Sequence, residues 1–276
     1  QHGKKLLDGD TSAVDSLKKD LAELRNRKIH LLKSAGFPED YLEPVYDCPD
    51  CKDTGYIGNK KCHCFKKAII GLLYDQSNIK KFPVEADFSN FRLDYYPVSH
   101  YDKKTGRSSR SMMEDTLRIC HHFIDSFGTE FNNLFFYGDV GVGKTFLSTC
   151  IAKEIMNREY SVLYFSAPQL FNTLAKNAFD KNDIDAHNMC EYIFDCDLLI
   201  IDDLGTEYTN AFIASQFFTC INERLLHRKS TIISTNLSLE SLADLYTERS
   251  FSRITSRYSL LKIVGDDIRI KKKLEH

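Results

Sequence analysis

The stretch "GDVGVGKT", residues 138–145, constrains the fold more than any other part of the chain. It matches the pattern G-x-x-x-x-G-K-[ST], with an apolar run, "NLFFYG", leading into it and a helical pattern, "KTFLSTCIAKEIMNR", leading out. In such a loop the backbone N–H groups surround phosphates, the lysine reaches the β- and γ-phosphates, and the threonine hydroxyl binds Mg²⁺. We therefore predict a nucleotide site that includes Gly138, Gly141, Val142, Gly143, Lys144, Thr145 and Phe146.

An acidic pair follows a later apolar strand, in "CDLLIIDDLG". The strand places Asp202 and Asp203 at its carboxyl end, the edge at which open α/β sheets bind ligands. We expect Asp202 to hold Mg²⁺ through water and Asp203 to orient or deprotonate the attacking water. Acidic pairs after strands are also ordinary helix caps, but the phosphate-binding loop favours the catalytic interpretation. The strand "SVLYFS", which lies between the loop strand and this one, favours the additional-strand ATPases over nucleotide kinases and GTPases.

Four of the nine cysteines cluster in "CPDCKDTGYIGNKKCHC". Cys48 and Cys51 form a C-x-x-C turn, and Cys62 and Cys64 follow after ten intervening residues that include glycines. Two such knuckles can supply the four ligands of a tetrahedral Zn²⁺ ion, with His63 as the alternative to a cysteine. A redox disulfide would need only one pair, and an iron–sulfur cluster is a further alternative. We predict a structural zinc site with no open coordination position.

Alternating strand and helix patterns after residue 130 predict an α/β fold with a parallel sheet covered on both faces. The chain has 276 residues, 42% hydrophobic and 28% charged, which suits one core domain and a smaller module. We predict a helical and zinc-binding module at residues 1–80, an ATPase domain at 81–273, and an expression-tag scar, "LEH", at 274–276. The net charge of −2 means that nucleic acid binding would need a local basic surface.

An apolar stripe near the N-terminus predicts a helix, because it repeats every three or four residues. It consists of Val14, Leu17, Leu21, Leu24 and Leu31, and "SAGFPEDYLEP" then supplies a glycine C-cap and a proline. Two interpretations stay open: the helix packs on its own domain, or it is a docking surface for helices of another protein. The aromatic stretch "FPVEADFSNFRLDYYPV" is predicted to be a linker that lies against the next domain.

The segments "DLLIIDDLGTE", "INERLLHRKSTIISTN" and "RITSRY", in this order after the P-loop, resemble the AAA+ ATPases of the DnaC/DnaI helicase-loader and IstB group. The resemblance covers roughly residues 82–273. It implies that Asn236 is the sensor-1 residue, which contacts the γ-phosphate or the attacking water. It also implies that Arg257 is an arginine finger for a neighbouring subunit, with Arg253 as its competitor, and that Arg269 is the sensor-2 arginine. The alternative for each arginine is a surface ion pair.

Two departures from the AAA+ pattern accompany this resemblance. The usual acidic pair is Asp-Glu, and the shorter Asp203 implies slow hydrolysis that suits a switch better than a motor. The chain also stops soon after the last strand, so we expect no C-terminal helical lid, a truncation that the loader group shares. A zinc module ahead of the ATPase domain is a feature of DnaI-like loaders, whereas IstB-type helpers generally lack it.

The resemblance implies an ATP-dependent helicase loader that binds a DnaB-type replicative helicase and delivers it onto single-stranded DNA. It also implies self-association through the ATP site, with Lys176 and Lys181 as candidate contacts to the single strand. The alternatives are an IstB-like ATPase that assists a transposase and a non-enzymatic adaptor. No run approaches the ~20 apolar residues that span a bilayer, and we expect a cytoplasmic protein with no membrane partner.

Overall fold

The structure, a computed structural model, describes residues 12–62, 64–65, 68, 86–180 and 182–275. It contains two compact units, Gln1–Cys62 and His63–His276. The predicted domain boundary at residues 80 and 81 falls outside the described residues and stays a prediction. His63 and Lys181 also lie outside them.

The described part of the first unit starts with a long helix, α1 (Ser12–Ser34), which confirms the predicted helix. Gly36 follows with a φ of +81°, and the Phe37 N–H donates to the Leu32 carbonyl at 2.9 Å, as expected of a glycine C-cap. Beyond it, two short antiparallel strands, β1 (Tyr56–Ile57) and β2 (Lys60–Lys61), form a hairpin between the two pairs of cysteines.

The second unit is built on a sheet of five strands, in which every neighbouring pair is parallel. The strands are β3 (Leu134–Tyr137), β4 (Val162–Ser166), β5 (Leu198–Leu204), β6 (Ser230–Thr235) and β7 (Ser259–Lys262). Their order across the sheet is β4-β5-β6-β3-β7. The predicted parallel α/β sheet is confirmed.

Helices cover both faces of this sheet. They are α2 (Ser109–Asp125), α3 (Lys144–Asn157), α4 (Ala167–Phe179), α5 (Ile184–Asp195), α6 (Ala211–Leu226), α7 (Leu239–Leu245), α8 (Glu248–Arg257) and α9 (Ile268–Leu274). Alternate residues of each strand face opposite sides, so Ile200 packs in the cluster that includes α2 and α3, and Ile201 packs in the cluster that includes α4 and α6. Buried Arg224 on α6 links this helix to α5 and to β6 by donating to the Ile193 carbonyl at 2.7 Å and the Ser230 carbonyl at 2.6 Å.

The strand that separates β3 from β5 in space is β6, whereas β4 lies at the edge of the sheet. The prediction that "SVLYFS" separates them therefore holds only along the chain, because sequence order does not fix the order of strands in a parallel sheet. The carboxyl ends of β3, β6 and β5 consequently lie side by side. This edge is where the P-loop, Asn236 and the acidic pair meet.

The described part of the aromatic linker, residues 86–98, packs against the ATPase core, as predicted. It contains two short 3₁₀ helices, Phe88–Asn90 and Leu93–Tyr95, and Tyr96 is only 1% exposed. At the other end of the unit, α9 follows β7, and Leu274 belongs to this helix. The absence of a lid and the tag scar stay predictions. No helix within the described ranges combines the length and apolarity needed to cross a bilayer.

Candidate nucleotide site and cysteine cluster

Lys144 lies at the start of α3 and is only 4% exposed. Its ammonium group donates to the carbonyls of Gly138 at 2.7 Å and Asp139 at 2.6 Å, and to Asn236 Oδ1 at 2.6 Å. Burial lowers its pKa, while the nearby carboxylates of Asp203 and Asp202 oppose that shift. The lysine thus stays beside the loop and already contacts the predicted sensor residue.

Gly138 opens the loop at the end of β3, with a φ of +146°. A Cβ atom at this position would overlap the carbonyl oxygen of Ile263, which follows β7. Only glycine permits this close approach between the loop and the neighbouring strand end. The first glycine of the motif therefore has a packing role in addition to its place in the loop.

Asp202 is the acidic residue that faces the P-loop. The Thr145 hydroxyl donates to Asp202 Oδ2 at 3.0 Å, and the Ser234 hydroxyl donates to Asp202 Oδ1. Asp202 is 6% exposed. A carboxylate and a threonine hydroxyl side by side are suitable oxygen ligands for Mg²⁺, which usually keeps several waters. The two residues predicted to hold magnesium are thus brought together.

Asp203 would face away from Asp202 in a regular strand, because successive side chains alternate. Instead the register shifts between Ile201 and Leu204, and Asp203 has a φ of +55°. Aspartate tolerates this left-handed conformation better than most residues, and the Asp203 N–H donates to Ser234 Oγ at 3.0 Å. The bulge lets Asp203 line the same cavity as Lys144. Burial raises the Asp203 pKa, and the Asp202 carboxylate raises it further.

A cavity of about 370 Å³ runs from the P-loop to the aromatic linker. Among the predicted residues, it is lined by Gly141, Gly143, Lys144, Thr145, Phe146, Asp203, Asn236 and Arg269. The other three predicted residues, Gly138, Val142 and Asp202, do not line the cavity but form hydrogen bonds with residues that do. The Val142 carbonyl, for example, accepts a hydrogen bond from the Tyr96 hydroxyl at 2.8 Å.

The linker side of this cavity was not predicted from the sequence. Phe91 and Tyr96 stack with ring centroids 5.7 Å apart, and Phe91 lies 6.0 Å from Phe146. Ile268 completes an apolar wall beyond the P-loop. Such a wall suits the flat face of a nucleotide base. The aromatic richness of the linker was the available signal, but only the fold shows that these rings face the P-loop.

Arg269 lies two residues after Asp267, at the start of α9, and forms a bidentate ion pair with it. Arg269 Nε donates to Asp267 Oδ1 at 3.1 Å and Arg269 Nη2 donates to Oδ2 at 2.9 Å. These hydrogen bonds raise the pKa of Arg269. The Arg269 charge also reaches the site, because it is among the influences on the pKa values of Lys144 and Asp203. The structure therefore places this predicted residue in the lining of the same cavity as Lys144 and Asp203.

Arg257 and Arg253 lie four residues apart on α8, both exposed. Neither lines the cavity, and neither pairs with an acidic side chain in the parts of the chain that the structure describes. The Arg257 carbonyl accepts a hydrogen bond from Asn133 Nδ2 at 3.2 Å, which fixes the end of the helix. Arg257 is thus not brought to the site of its own chain, and its role in a neighbouring chain stays a prediction.

The four cysteines bring their sulfur atoms within 4.8 Å of one another. Cys48 Sγ and Cys62 Sγ are 3.7 Å apart, close to the ~3.8 Å edge of a tetrahedron with Zn–S bonds of about 2.3 Å. Cys48, Cys51 and Cys62 are buried, and Cys64 is partly buried. The donor set therefore fits a closed zinc site with these four ligands.

Hydrogen bonds stabilise the turn that carries Cys48 and Cys51. The Gly55 N–H donates to Cys51 Sγ at 3.3 Å, and the Asp53 carboxylate accepts from the N–H groups of Cys48 at 2.8 Å and Asp47 at 3.2 Å. Hydrogen bonds that orient ligands or their turns are characteristic of metal sites. Asp53 was not predicted, because a lone aspartate in a polar turn carries no distinctive pattern.

Comparisons with known proteins extend these observations. The chain is 27% identical over 236 residues to phage-like element PBSX protein XkdC of Bacillus subtilis, covering 80% of this chain and 83% of that protein. It is 29% identical over 115 residues to replicative helicase loader DnaI of Bacillus subtilis, covering 41% of this chain and 36% of DnaI. The crystal structure of the DnaC helicase loader superimposes with a TM-score of 0.51 and 26% identity, covering 63% of this chain and 97% of that chain.

These likenesses confirm the resemblance to DnaC/DnaI-type AAA+ proteins that the motifs indicated. The five parallel strands and the flanking helices are the AAA+ P-loop architecture. The profile of one family, described as IstB-like ATP binding protein, matches residues 76–276, which is more than half of the chain. With the phosphate-binding loop, Asp202 and Asn236 assembled at one sheet edge, the chain belongs to the family of IstB-like ATP binding proteins.

Proposed function

We propose that this chain is an ATP-dependent loader that binds a DnaB-type replicative helicase and delivers it onto single-stranded DNA. The observation that carries this proposal is the assembled nucleotide site in a chain whose relatives include proteins named replicative helicase loader. The cysteine cluster ahead of the ATPase core supports it further, because a compact metal module can present a rigid binding surface.

In this proposal the P-loop residues hold the triphosphate. Lys144 exchanges the carbonyls of Gly138 and Asp139 for phosphate oxygens and keeps its contact with Asn236. Thr145 and Asp202 hold Mg²⁺, which neutralises charge on the phosphates when bound. Positioning and charge stabilisation of this kind supply most of the catalysis in phosphoryl transfer.

Asp203 is the proposed base. A water molecule attacks the γ-phosphorus, the bond to the β–γ bridging oxygen breaks, and the water proton passes to the Asp203 carboxylate while Asn236 orients the water. The raised pKa of Asp203 makes it a better proton acceptor than an ordinary aspartate. Its side chain is one methylene shorter than that of glutamate, so we expect slow hydrolysis that acts as a switch.

Self-association through the ATP site is the second part of the proposal. Arg253 and Arg257 are exposed on α8 and lie outside the cavity of their own chain. An arginine that stabilises transition-state charge can be supplied by a neighbouring molecule. We propose that Arg257 reaches the nucleotide of the next chain, which makes hydrolysis depend on protein concentration.

Contact with single-stranded DNA is proposed for the exposed end of α4. Lys176 is exposed there, and Phe179, three residues later, is 76% exposed. A basic side chain beside an exposed ring is the combination that holds a phosphate backbone and stacks on a base. Lys181, the other predicted contact, is outside the described residues.

The helicase contact is proposed for α1. Leu24 and Leu31 lie seven residues apart on one face of the helix and are 62% and 59% exposed. Together with Phe37, Tyr41 and other residues of the first unit they line an apolar groove of about 550 Å³. Within its own unit the stripe is thus only partly covered, which favours the docking interpretation over packing on its own domain.

Leu31→Asp tests this contact. We expect it to abolish co-purification with the replicative helicase of the same host, because it puts a charge into the apolar groove. Asn26→Asp adds the same charge to an exposed position on a different face of α1 and should leave the complex intact. Equal binding by both variants and the wild type would contradict the docking surface.

A transposase helper is the second candidate, and the family description favours it because the matched profile is that of IstB-like proteins. Such a protein should bind duplex DNA and a transposase instead of a hexameric helicase. A non-enzymatic adaptor is the third candidate. ATP hydrolysis that is lost in Lys144→Ala would exclude the adaptor, whereas tight ATP binding without turnover would retain it.

A further inference from the structure

Asp267 lies outside the predicted site, in the turn between β7 and α9, yet its carboxylate packs on the P-loop. The Ile268 N–H donates to the Gly141 carbonyl at 3.0 Å, which holds this turn against the loop. A Cβ atom at Gly141 would overlap the Asp267 carboxylate, and Gly141 has a φ of +77°. A negative charge therefore lies directly against a loop whose proposed ligand is also negative.

The Asp267 carboxylate is also the group that holds Arg269. Both of its oxygens accept hydrogen bonds from the Arg269 guanidinium, at 3.1 and 2.9 Å, and Oδ1 also accepts from the Arg269 N–H at 2.9 Å. Arg269 lines the cavity and its side chain is 65% exposed, whereas Asp267 does not line the cavity. The guanidinium thus pairs with the Asp267 carboxylate and also lines the cavity that contains Lys144 and Asn236.

We propose that Asp267 is a positioning residue that competes with the terminal phosphate of the nucleotide for Arg269. The guanidinium edge formed by Nε and Nη2 suits a carboxylate and a phosphate equally well, because both accept two parallel hydrogen bonds. A triphosphate gains the full Arg269 contact only when the Asp267–Arg269 pair opens. Asp267 thereby reduces the preference of the site for ATP over ADP. The inference rests on the proposed ATP site.

Asp267→Asn tests the competition, because asparagine keeps the shape that packs against Gly141 and the oxygen that caps α9. It removes the negative charge and one of the two acceptor oxygens that hold the Arg269 guanidinium. We expect the affinity for Mg–ATP to rise roughly three- to fivefold, the upper range for an exposed ion pair, with a smaller change for Mg–ADP. Isothermal titration calorimetry of the full chain with each nucleotide measures the ratio of the two affinities.

Two controls separate this competition from a general loss of charge. Asp266→Asn removes the neighbouring carboxylate, which pairs with Lys271 at 2.9 Å and lies 3.8 Å from His100, and should leave both affinities unchanged. In an Arg269→Ala background, Asp267→Asn should no longer change the ATP-to-ADP ratio, because the group for which Asp267 competes is gone.

Unchanged or weaker ATP binding by Asp267→Asn would overturn the inference. So would a gain in the ATP-to-ADP ratio that persists in the Arg269→Ala background. Should Asp267→Asn melt earlier than the wild type, Asp267→Ser keeps a cap for α9 and replaces it in the same titrations. A wild-type chain that binds no ATP, or whose binding survives Lys144→Ala, would show instead that the proposed nucleotide site is wrong.

Discussion

Replacing Ser234 by alanine removes one hydroxyl that holds both acidic residues of the nucleotide site. Ser234 lies in β6 and is completely buried. Its Oγ accepts from the Asp203 N–H at 3.0 Å and donates to the Asp202 carboxylate. In Ser234→Ala the N–H of Asp203, a residue with a left-handed backbone, loses its hydrogen-bond acceptor. The Asp202 carboxylate loses one of the groups that orient it.

The expected cost follows from these two contacts. Leaving a buried donor without a partner costs about 1–3 kcal/mol, so we take a loss of ~2 kcal/mol in the free energy of unfolding. For a domain of this size each kcal/mol lowers Tm by roughly 2–4 °C, which gives a fall of ~4–8 °C. Losing a group that orients a metal ligand typically weakens metal binding or activity by about 10–100-fold. We therefore expect Ser234→Ala to need at least about tenfold more Mg²⁺ for half-maximal hydrolysis.

Thermal unfolding and ATP hydrolysis as a function of Mg²⁺ concentration measure the two effects. Ser234→Thr keeps the hydroxyl and should restore most of the Mg²⁺ dependence. Ser148→Ala is the matched control, since Ser148 is also completely buried but its hydroxyl has no hydrogen-bond partner among the described residues. Its removal should change the free energy of unfolding by less than about 0.5 kcal/mol.

The reasoning would be refuted if Ser234→Ala kept the wild-type Mg²⁺ dependence. A threonine variant as impaired as the alanine variant would also contradict it, because the effect would then reflect packing and not the hydroxyl. Equal losses of stability in Ser234→Ala and Ser148→Ala would show that the hydrogen bonds of Ser234 contribute nothing specific.

Three further predictions concern stability and the metal. Asp203→Asn should raise Tm at pH 7–8 while reducing hydrolysis, because the folded state binds the Asp203 proton more tightly than the unfolded chain and stability falls as pH rises through the raised pKa. The gain in Tm of Asp203→Asn should disappear as pH falls towards 3.8, and a gain in Tm that is independent of pH would contradict titration of Asp203 as its cause. Arg224→Met should destabilise the core by more than about 3 kcal/mol in urea unfolding, since it leaves several buried carbonyls without a donor. The exposed Arg228→Met should be nearly neutral, and equal losses would contradict the role of burial. Cys51→Ser should lose bound zinc, measured by mass, while the core keeps its ATP affinity. Zinc retained by this variant would contradict the ligand set.

Much of the nucleotide site was predictable from the sequence because its signals are local. The P-loop is a continuous motif between a strand and a helix, and Asp202 follows an apolar strand directly. The likeness to DnaC/DnaI-type proteins added Asn236, which β6 places against Lys144 at 2.6 Å. The cysteine pairs were equally local, and their sulfur atoms meet as their spacing indicated.

Other parts of the site depend on which elements become neighbours in space. Strand order placed β6 between β3 and β5, and Ser234 is visible as a partner of both acids only once that order is known. The contact of Asp267 with Gly141 joins residues far apart in the chain, and no motif encodes it. The bulge at Asp203 could not be predicted either. In a regular strand the alternation of side chains would place the Asp203 carboxylate on the face opposite to that of Asp202.

Native mass spectrometry of the full chain mixed with the replicative helicase of its own host, in ATP and in ADP, tests the proposed function most directly. It counts the subunits and weighs the metal in the same spectrum. We predict several copies of this chain on one helicase hexamer in ATP, each carrying one zinc ion, and fewer copies in ADP. No complex in either nucleotide would contradict the loader proposal and make a transposase the next partner to test.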